Sequence, residues 1–354
     1  MTFEQYQVRS YIPSLDSMRA VAIIGVFMSH VDVVRKLDNN GWAWLSGENG
    51  VRLFFVLSGY LITTLCLREE KSRGVVSLLG FYARRVFRLL PAYYITLCLY
   101  CVLIYSGVAG VAPKHAEDFS IALPYYLFYM NEFAPPAAFY QSWSLAVEEK
   151  FYLIWPALVF VCCARAKWSR LGVTISLIAT FFLLDYAIPS QRFFAYGDIL
   201  MGCMLGLLLE NEKYFRKLTR VSESIGCVTI SLAFLAYQLL LHPFPQLSYL
   251  YSCAAFALLL SMATTTAENS VLASSWVVWI GRRAYSIYLL HVIAIQAVTK
   301  LLPDGRGPVI AVAATLLAFA FATLLADLMF RFIEKPLIAK GKMISAQISR
   351  GACS

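Results

Sequence analysis

The chain has 354 residues, of which 60% are hydrophobic and 14% charged, with a formal net charge of +9 at pH 7. That balance is too apolar for a soluble globular surface, and apolar stretches of membrane-spanning length recur so often that no large soluble domain fits between them. The basic excess falls in loops flanking those stretches, so it points to membrane orientation and not to nucleic acid.

Apolar windows predict about ten transmembrane helices, so the expected fold is an all-α integral membrane bundle. The spans fall at 14–35, 51–67, 90–108, 144–163, 171–187, 195–209, 224–241, 249–266, 285–302 and 308–330. Residues 1–340 form one domain in this reading, and 341–354 a short cytoplasmic tail. The stretch 119–130 is apolar but is expected only to dip into the interface, while the short span 195–209 opens near Gly197 and Asp198. Basic residues crowd alternate loops, among them Arg68, Lys71, Arg73, Arg165, Lys213 and Lys217, which assigns those loops and both termini to the cytoplasm. Polar residues run to Ser14, so the first span reads as a retained helix and not a cleaved signal peptide.

The first span reads SLDSMRAVAIIGVFMSH, with Ser14 as a plausible cap and Asp16 in the first turn, three residues from Arg19 and able to pair with it. Arg19 and His30 lie eleven residues apart, so they share one helix face at roughly 16 Å separation. Arg19 fits a snorkelling anchor as well as a functional cation. His30 fits a satisfied structural imidazole or a general base, the role for which histidine is best suited near neutral pH.

In GVRLFFVLSGYLIT (50–63), Ser58 and Gly59 form a small notch in a bulky helix, which suits close helix packing or room for a thin ligand. FYARRVFRLLPAYY (81–94) groups Arg84, Arg85 and Arg88 on about one turn. A positive-inside anchor and a guanidinium grip on phosphate both fit that cluster. QSWSLAVEEKFYLIWP (141–156) brings Trp143, Glu148 and Glu149 to the start of a span, where a poised base or a dipole-stabilised carboxylate are the two readings. Glu149 followed by Lys150 fits the second, and Glu148 faces inward if the helix begins near Ser142. GRRAYSIYLLHVIAI (281–295) aligns Tyr285, Tyr288 and His291 in a stripe that fits a supporting shell. His115 and His242 fall in or near loops and carry no role. The nine cysteines lack ligand spacing and read as small core residues, so no metal site is expected.

In order along the chain, these motifs resemble the acyltransferase 3 family of membrane O-acyltransferases, bacterial enzymes that transfer acyl groups, commonly acetyl, to sugars and related hydroxyl acceptors. The resemblance rests on LDSMRAVAIIGVFMSH, LFFVLSGYLIT, RRVFRLLP, WSLAVEEKFY and SIYLLH and covers nearly the whole chain. It implies that His30, Arg19 and Glu148 belong to the catalytic apparatus, with Glu148 near the outer face. It further implies that Arg85 and Arg88 engage acyl-CoA; Trp143, Ser58 and His291 are the expected substrate-binding residues. The implied donor is acetyl-CoA, with no permanently bound cofactor. The implied acceptor is a carbohydrate or lipid-linked glycan at a bacterial inner membrane, with lipid around the bundle. The family commonly has glutamine where this chain has Lys150, which bears on the acceptor mouth. Some relatives carry a further span and an SGNH hydrolase-like domain, and a chain ending at Ser354 is expected to lack one. A multi-helix transporter or flippase for an anionic or lipid-linked substrate explains the buried charges equally well, but not the ordered motifs.

Overall fold

The structure, a computed structural model, describes residues 1–9, 11–31, 47–106, 113–166, 169–188, 192–226, 229–230, 248–264, 274–301 and 308–351. Among the described residues every regular element is helical. A capping box between Thr2 and Gln5 starts α1 (Phe3–Val8). Pro at the first turn and Asp16 near the positive end start α2 (Pro13–Ser29). Next come α3 (Gly47–Arg73) and α4 (Leu78–Tyr105), the latter capped by Ser77, whose hydroxyl accepts from Gly80 N at 3.2 Å. After α5 (Pro113–Leu127), α6 (Trp143–Pro156) continues through a wide turn at Ala157–Cys162 directly after its proline. Then follow α7 (Arg170–Ala187), α8 (Phe194–Glu210), α9 (Glu212–Ile225) and α10 (Ser248–Thr264). The chain ends with α11 (Ser275–Arg282), α12 (Ala284–Lys300), α13 (Pro308–Met329) and α14 (Lys335–Gly351).

Among the described residues four stretches are long and apolar enough to cross a membrane: α3, α4, α7 and the run Val309–Ser349 that joins α13 to α14. The other expected spans inside the described residues are helices too, but shorter, while most of 224–241, with His242, lies outside them. The tail boundary expected at 340/341 falls inside α14, which packs antiparallel on α4. A Cβ on Gly341 would meet Phe87, and one on Gly80 would meet Ser345.

The bundle is built around α3. In its most apolar 18-residue stretch 78% is buried, against 6% for α7. Small residues make that possible: a Cβ on Gly59 would strike the Ile199 carbonyl, and one on Gly202 the Val56 carbonyl, so α3 and α8 run parallel with their backbones touching. Gly47 against Ser29 and Gly50 against Ala22 set α2 antiparallel to α3.

The stretch expected to dip into the interface lies alongside α4. α5 descends beside α4, from Phe119 against Tyr105 (6.0 Å between ring centres) to Tyr129 against Tyr93 (4.2 Å). Twelve helical residues separate those two α4 positions, roughly 18 Å along the α4 axis. Tyr93 donates to the Tyr126 carbonyl at 2.8 Å, and Asn131 donates to Tyr93 at 2.8 Å and to Ser142 Oγ at 2.6 Å. The first of these bonds satisfies a backbone carbonyl and the other two tie buried side chains together, leading the chain to the start of α6.

Candidate functional site

Arg19, Ser58, Arg85, Arg88 and Glu148 line one cavity of about 400 Å³, which α2, α3, α4, α6, α11, α12 and α14 border. The packing above explains why they meet. Antiparallel α2 and α3 bring the first turns of α2 level with the middle of α3, and α6 lays Glu148 against Ser58. Glu148 Oε1 accepts from Ser58 Oγ at 3.0 Å and Oε2 from Tyr152 at 3.2 Å, so the small residue at 58 serves as a hydrogen-bond donor as well as a notch. The Arg85 guanidinium lies over the Tyr152 ring at 4.8 Å and over Phe81 at 5.3 Å. Arg84, grouped with it in the sequence, is instead tied to Glu69 at 2.6 Å and to Ser345, away from the cavity. Among the described residues neither Arg85 nor Arg88 has a carboxylate within ion-pair distance.

Asp16 is the hub of the cavity on the α2 side. It pairs with Arg19 as the three-residue spacing suggests, accepts from Tyr11 OH at 2.7 Å, and has Arg282 Nε at 3.5 Å. Burial, and then the bond to Asp16, pushes the Tyr11 phenol above its ordinary value. Opposite, Tyr285 donates to the Leu89 carbonyl at 2.8 Å, and Glu334 accepts from Ser286.

Glu148 shares the cavity of the arginines, because α6 starts at Trp143 and has completed more than a turn before Glu148. Lys150 Nζ, next to Glu149 in the sequence, turns to Glu132 at 2.6 Å and to the Tyr129 carbonyl at 2.7 Å, tying α6 to the turn that follows α5.

His30, His291 and Trp143 do not line this cavity. His30 ends α2, with Nδ1 2.8 Å from the Val26 carbonyl, and its ring meets that of His291 edge to face at 4.9 Å between centres. His291 is fully buried, its Nδ1 2.7 Å from the Tyr288 carbonyl and its Nε2 without a hydrogen-bond partner among the described residues. Donation from Nδ1 to a carbonyl leaves the basic lone pair of each imidazole on Nε2. Tyr288 connects the two regions: its hydroxyl reaches the cavity 2.7 Å from Ser144 Oγ and donates to the Gln141 carbonyl, and its ring lies 5.8 Å from His291. Trp143 packs instead on Phe55 and Phe194 and carries the Arg192 guanidinium 4.4 Å over its ring.

Several cavity residues were not singled out from the sequence. Tyr152 had a local signal, since it stands four residues after Glu148 on one helix face. Tyr11, Arg282 and Glu334 had none beyond their charge or polarity, because distant segments bring them together. The same holds for Arg52, buried with Asp198 (Nε to Oδ2 2.7 Å) and Ser252 (3.0 Å) between the rings of Phe194 and Tyr251. Among the described residues no group of three or more His, Cys, Asp or Glu could hold a metal ion, and the seven described cysteines are free thiols.

A family model described as an acyltransferase domain, acyltransferase 3, matches residues 12–328. The chain is 30% identical over 94% of its length to the peptidoglycan O-acetyltransferase OatA of Listeria monocytogenes, spanning 57% of that protein. It is 30% identical over 96% of its length to a putative O-acetyltransferase of Staphylococcus aureus strain COL, spanning 59% of it. To the O-acetyltransferase OatA of another Staphylococcus aureus strain it is 29% identical over 94%, spanning 58%. The chain therefore spans less than three fifths of the length of each of these relatives. No solved structure matches.

Proposed function

This chain belongs to the acyltransferase 3 family, and from that membership we propose that it is a membrane O-acetyltransferase. In this reading it moves an acetyl group from acetyl-CoA to a hydroxyl of a carbohydrate or glycolipid acceptor. The observation that carries the reading is the convergence of Arg19, Arg85, Arg88 and Glu148 on one cavity whose inner end, at Tyr288, adjoins the His30–His291 pair. The names of the relatives, all O-acetyltransferases, support the transferred group, and that of the Listeria relative supports a glycan acceptor. The bundle crosses a bacterial inner membrane about ten times with both termini cytoplasmic, as the basic loops imply.

Arg85 and Arg88, without carboxylate partners at contact distance among the described residues, grip the donor phosphates by charge-assisted hydrogen bonds. Arg19, already neutralised by Asp16, positions the donor arm, and Glu148 accepts from its amide N–H groups. The thioester passes Tyr288 and reaches His30. There the acceptor oxygen forms its bond to the thioester carbonyl carbon as His30 Nε2 takes the hydroxyl proton. The carbon–sulfur bond breaks, and the imidazolium proton goes to the departing thiolate, yielding the ester and free CoA.

The test uses the full chain in membrane vesicles with labelled acetyl-CoA. Expected is acceptor-dependent release of CoA with label in an ester of the membrane glycan, and a loss of about 100-fold or more in a His30→Ala variant that inserts normally. Wild-type transfer by that variant overturns the role of His30. Movement of a glycan across the bilayer without acyl transfer overturns the enzyme in favour of a transporter.

A further inference from the structure

The cavity has a fourth arginine on a different wall. Arg85 and Arg88 come from α4, whereas Arg282 ends α11, with its side chain 51% exposed at the rim. Its position is fixed from both sides. Gly281 leaves α11 in backbone contact with α2, since a Cβ there would strike the Asp16 carbonyl. The guanidinium lies over the Tyr11 ring at 5.0 Å, with Nη2 2.9 Å from the Tyr11 hydroxyl and Nε 3.5 Å from Asp16. Those contacts engage the Nε and one Nη2 edge of the fork, and the remaining N–H groups are donors for an anion.

The carboxylates lining the cavity are already engaged: Glu148 by Ser58 and Tyr152, Glu334 by Ser286, and Asp16 by Tyr11 and Arg19. Cations on two separate walls suit a ligand with two separate phosphate centres. An acyl-CoA has that chemistry, with a pyrophosphate between pantetheine and nucleotide and a lone monoester on the ribose.

We propose that Arg282, held by Tyr11 and Asp16, is a second phosphate-binding point that grips the ribose phosphomonoester of the donor and selects against donors that lack it. This rests on the acyl-CoA reading above. The pair Arg85 and Arg88 takes the pyrophosphate, and Arg282 confers discrimination instead of general affinity.

Calorimetry on the full chain in nanodiscs, with adenosine 3′,5′-bisphosphate and 5′-AMP as probes, tests this without turnover. A charge-assisted pair predicts that the wild type binds the bisphosphate about tenfold or more tightly than AMP. Arg282→Gln should bring that ratio to within about threefold, and Arg282→Lys, which keeps the charge but not the fork, should leave it in between. Arg85→Gln should weaken both probes and leave the ratio standing. Tyr11→Phe, which removes only a hydroxyl, gives an independent lowering of the ratio should Arg282→Gln fold poorly. A ratio unmoved by either the Arg282 or the Tyr11 substitution overturns the proposal. Wild-type protein that turns over acetyl-CoA and 3′-dephospho-acetyl-CoA equally well sinks this inference alone, whereas failure to use or bind either removes the acyl-CoA reading with it.

Discussion

Lys150 shows how a single side chain is misjudged when only its neighbours in sequence are considered. It stands next to Glu149 in the sequence, yet its ammonium reaches Glu132 at 2.6 Å, and both side chains are largely shielded from water. A charge removed from such a pair leaves the other desolvated and uncompensated. Lys150→Gln should therefore lower stability by about 2–3 kcal/mol, and adding Glu132→Gln should recover most of it, as read by thermal unfolding in detergent. Glu148 carries the opposite lesson. Its residue type and helix position marked it from the sequence, but its partners Ser58 and Tyr152 and its placement among arginines came from α3 and α4. Glu148→Ala leaves two donors without their acceptor inside the cavity, and acetyl transfer should fall about tenfold or more, with the KM for the donor raised.

Helix against helix, the decisive contacts are those of α3. With Gly59 and Gly202 each lying against the other helix's backbone, no methyl group fits between α3 and α8. Gly202→Ala should force the two apart at a cost of about 1–3 kcal/mol and, because Ser58 rides on the same turn as Gly59, disturb the cavity as well. The Arg52–Asp198 pair fastens the same two helices with Ser252 of α10 as a third member. Removing one charge, as in Asp198→Leu, should cost about 3–5 kcal/mol, while Arg52→Leu with Asp198→Leu should be close to neutral in unfolding measurements. A double variant that remains as unstable as the single one would show that the pair supplies more than mutual compensation. Most of these helices were legible from apolar runs and caps. Their partners were not, since parallel and antiparallel neighbours present the same periodicity to the sequence.

For the molecule as a whole, the proposed orientation puts the turn before α4 in the cytoplasm and the end of α4 across the membrane. Single cysteines at Ser72 and Ser106, in a background without other cysteines, should then react with an impermeant maleimide from opposite faces of sealed vesicles; labelling from the same face would refute α4 as a span. The sequence by itself determined the helical membrane class, the crowding of positive charge, and the occurrence of Arg19 and His30 on one helix. Each of these follows from composition or from the helical repeat within a single segment. Only the tertiary structure decided that Glu148 joins the arginines, that His291 meets His30 behind Tyr288, that α5 descends beside α4, and that Arg282 completes the rim of the cavity. Those outcomes depend on backbones approaching at Gly59, Gly202 and Gly281 and on charges finding partners more than a hundred residues away, as Arg52 does in Asp198. Burial in an apolar bundle makes such partners obligatory, but it leaves their identity to the packing.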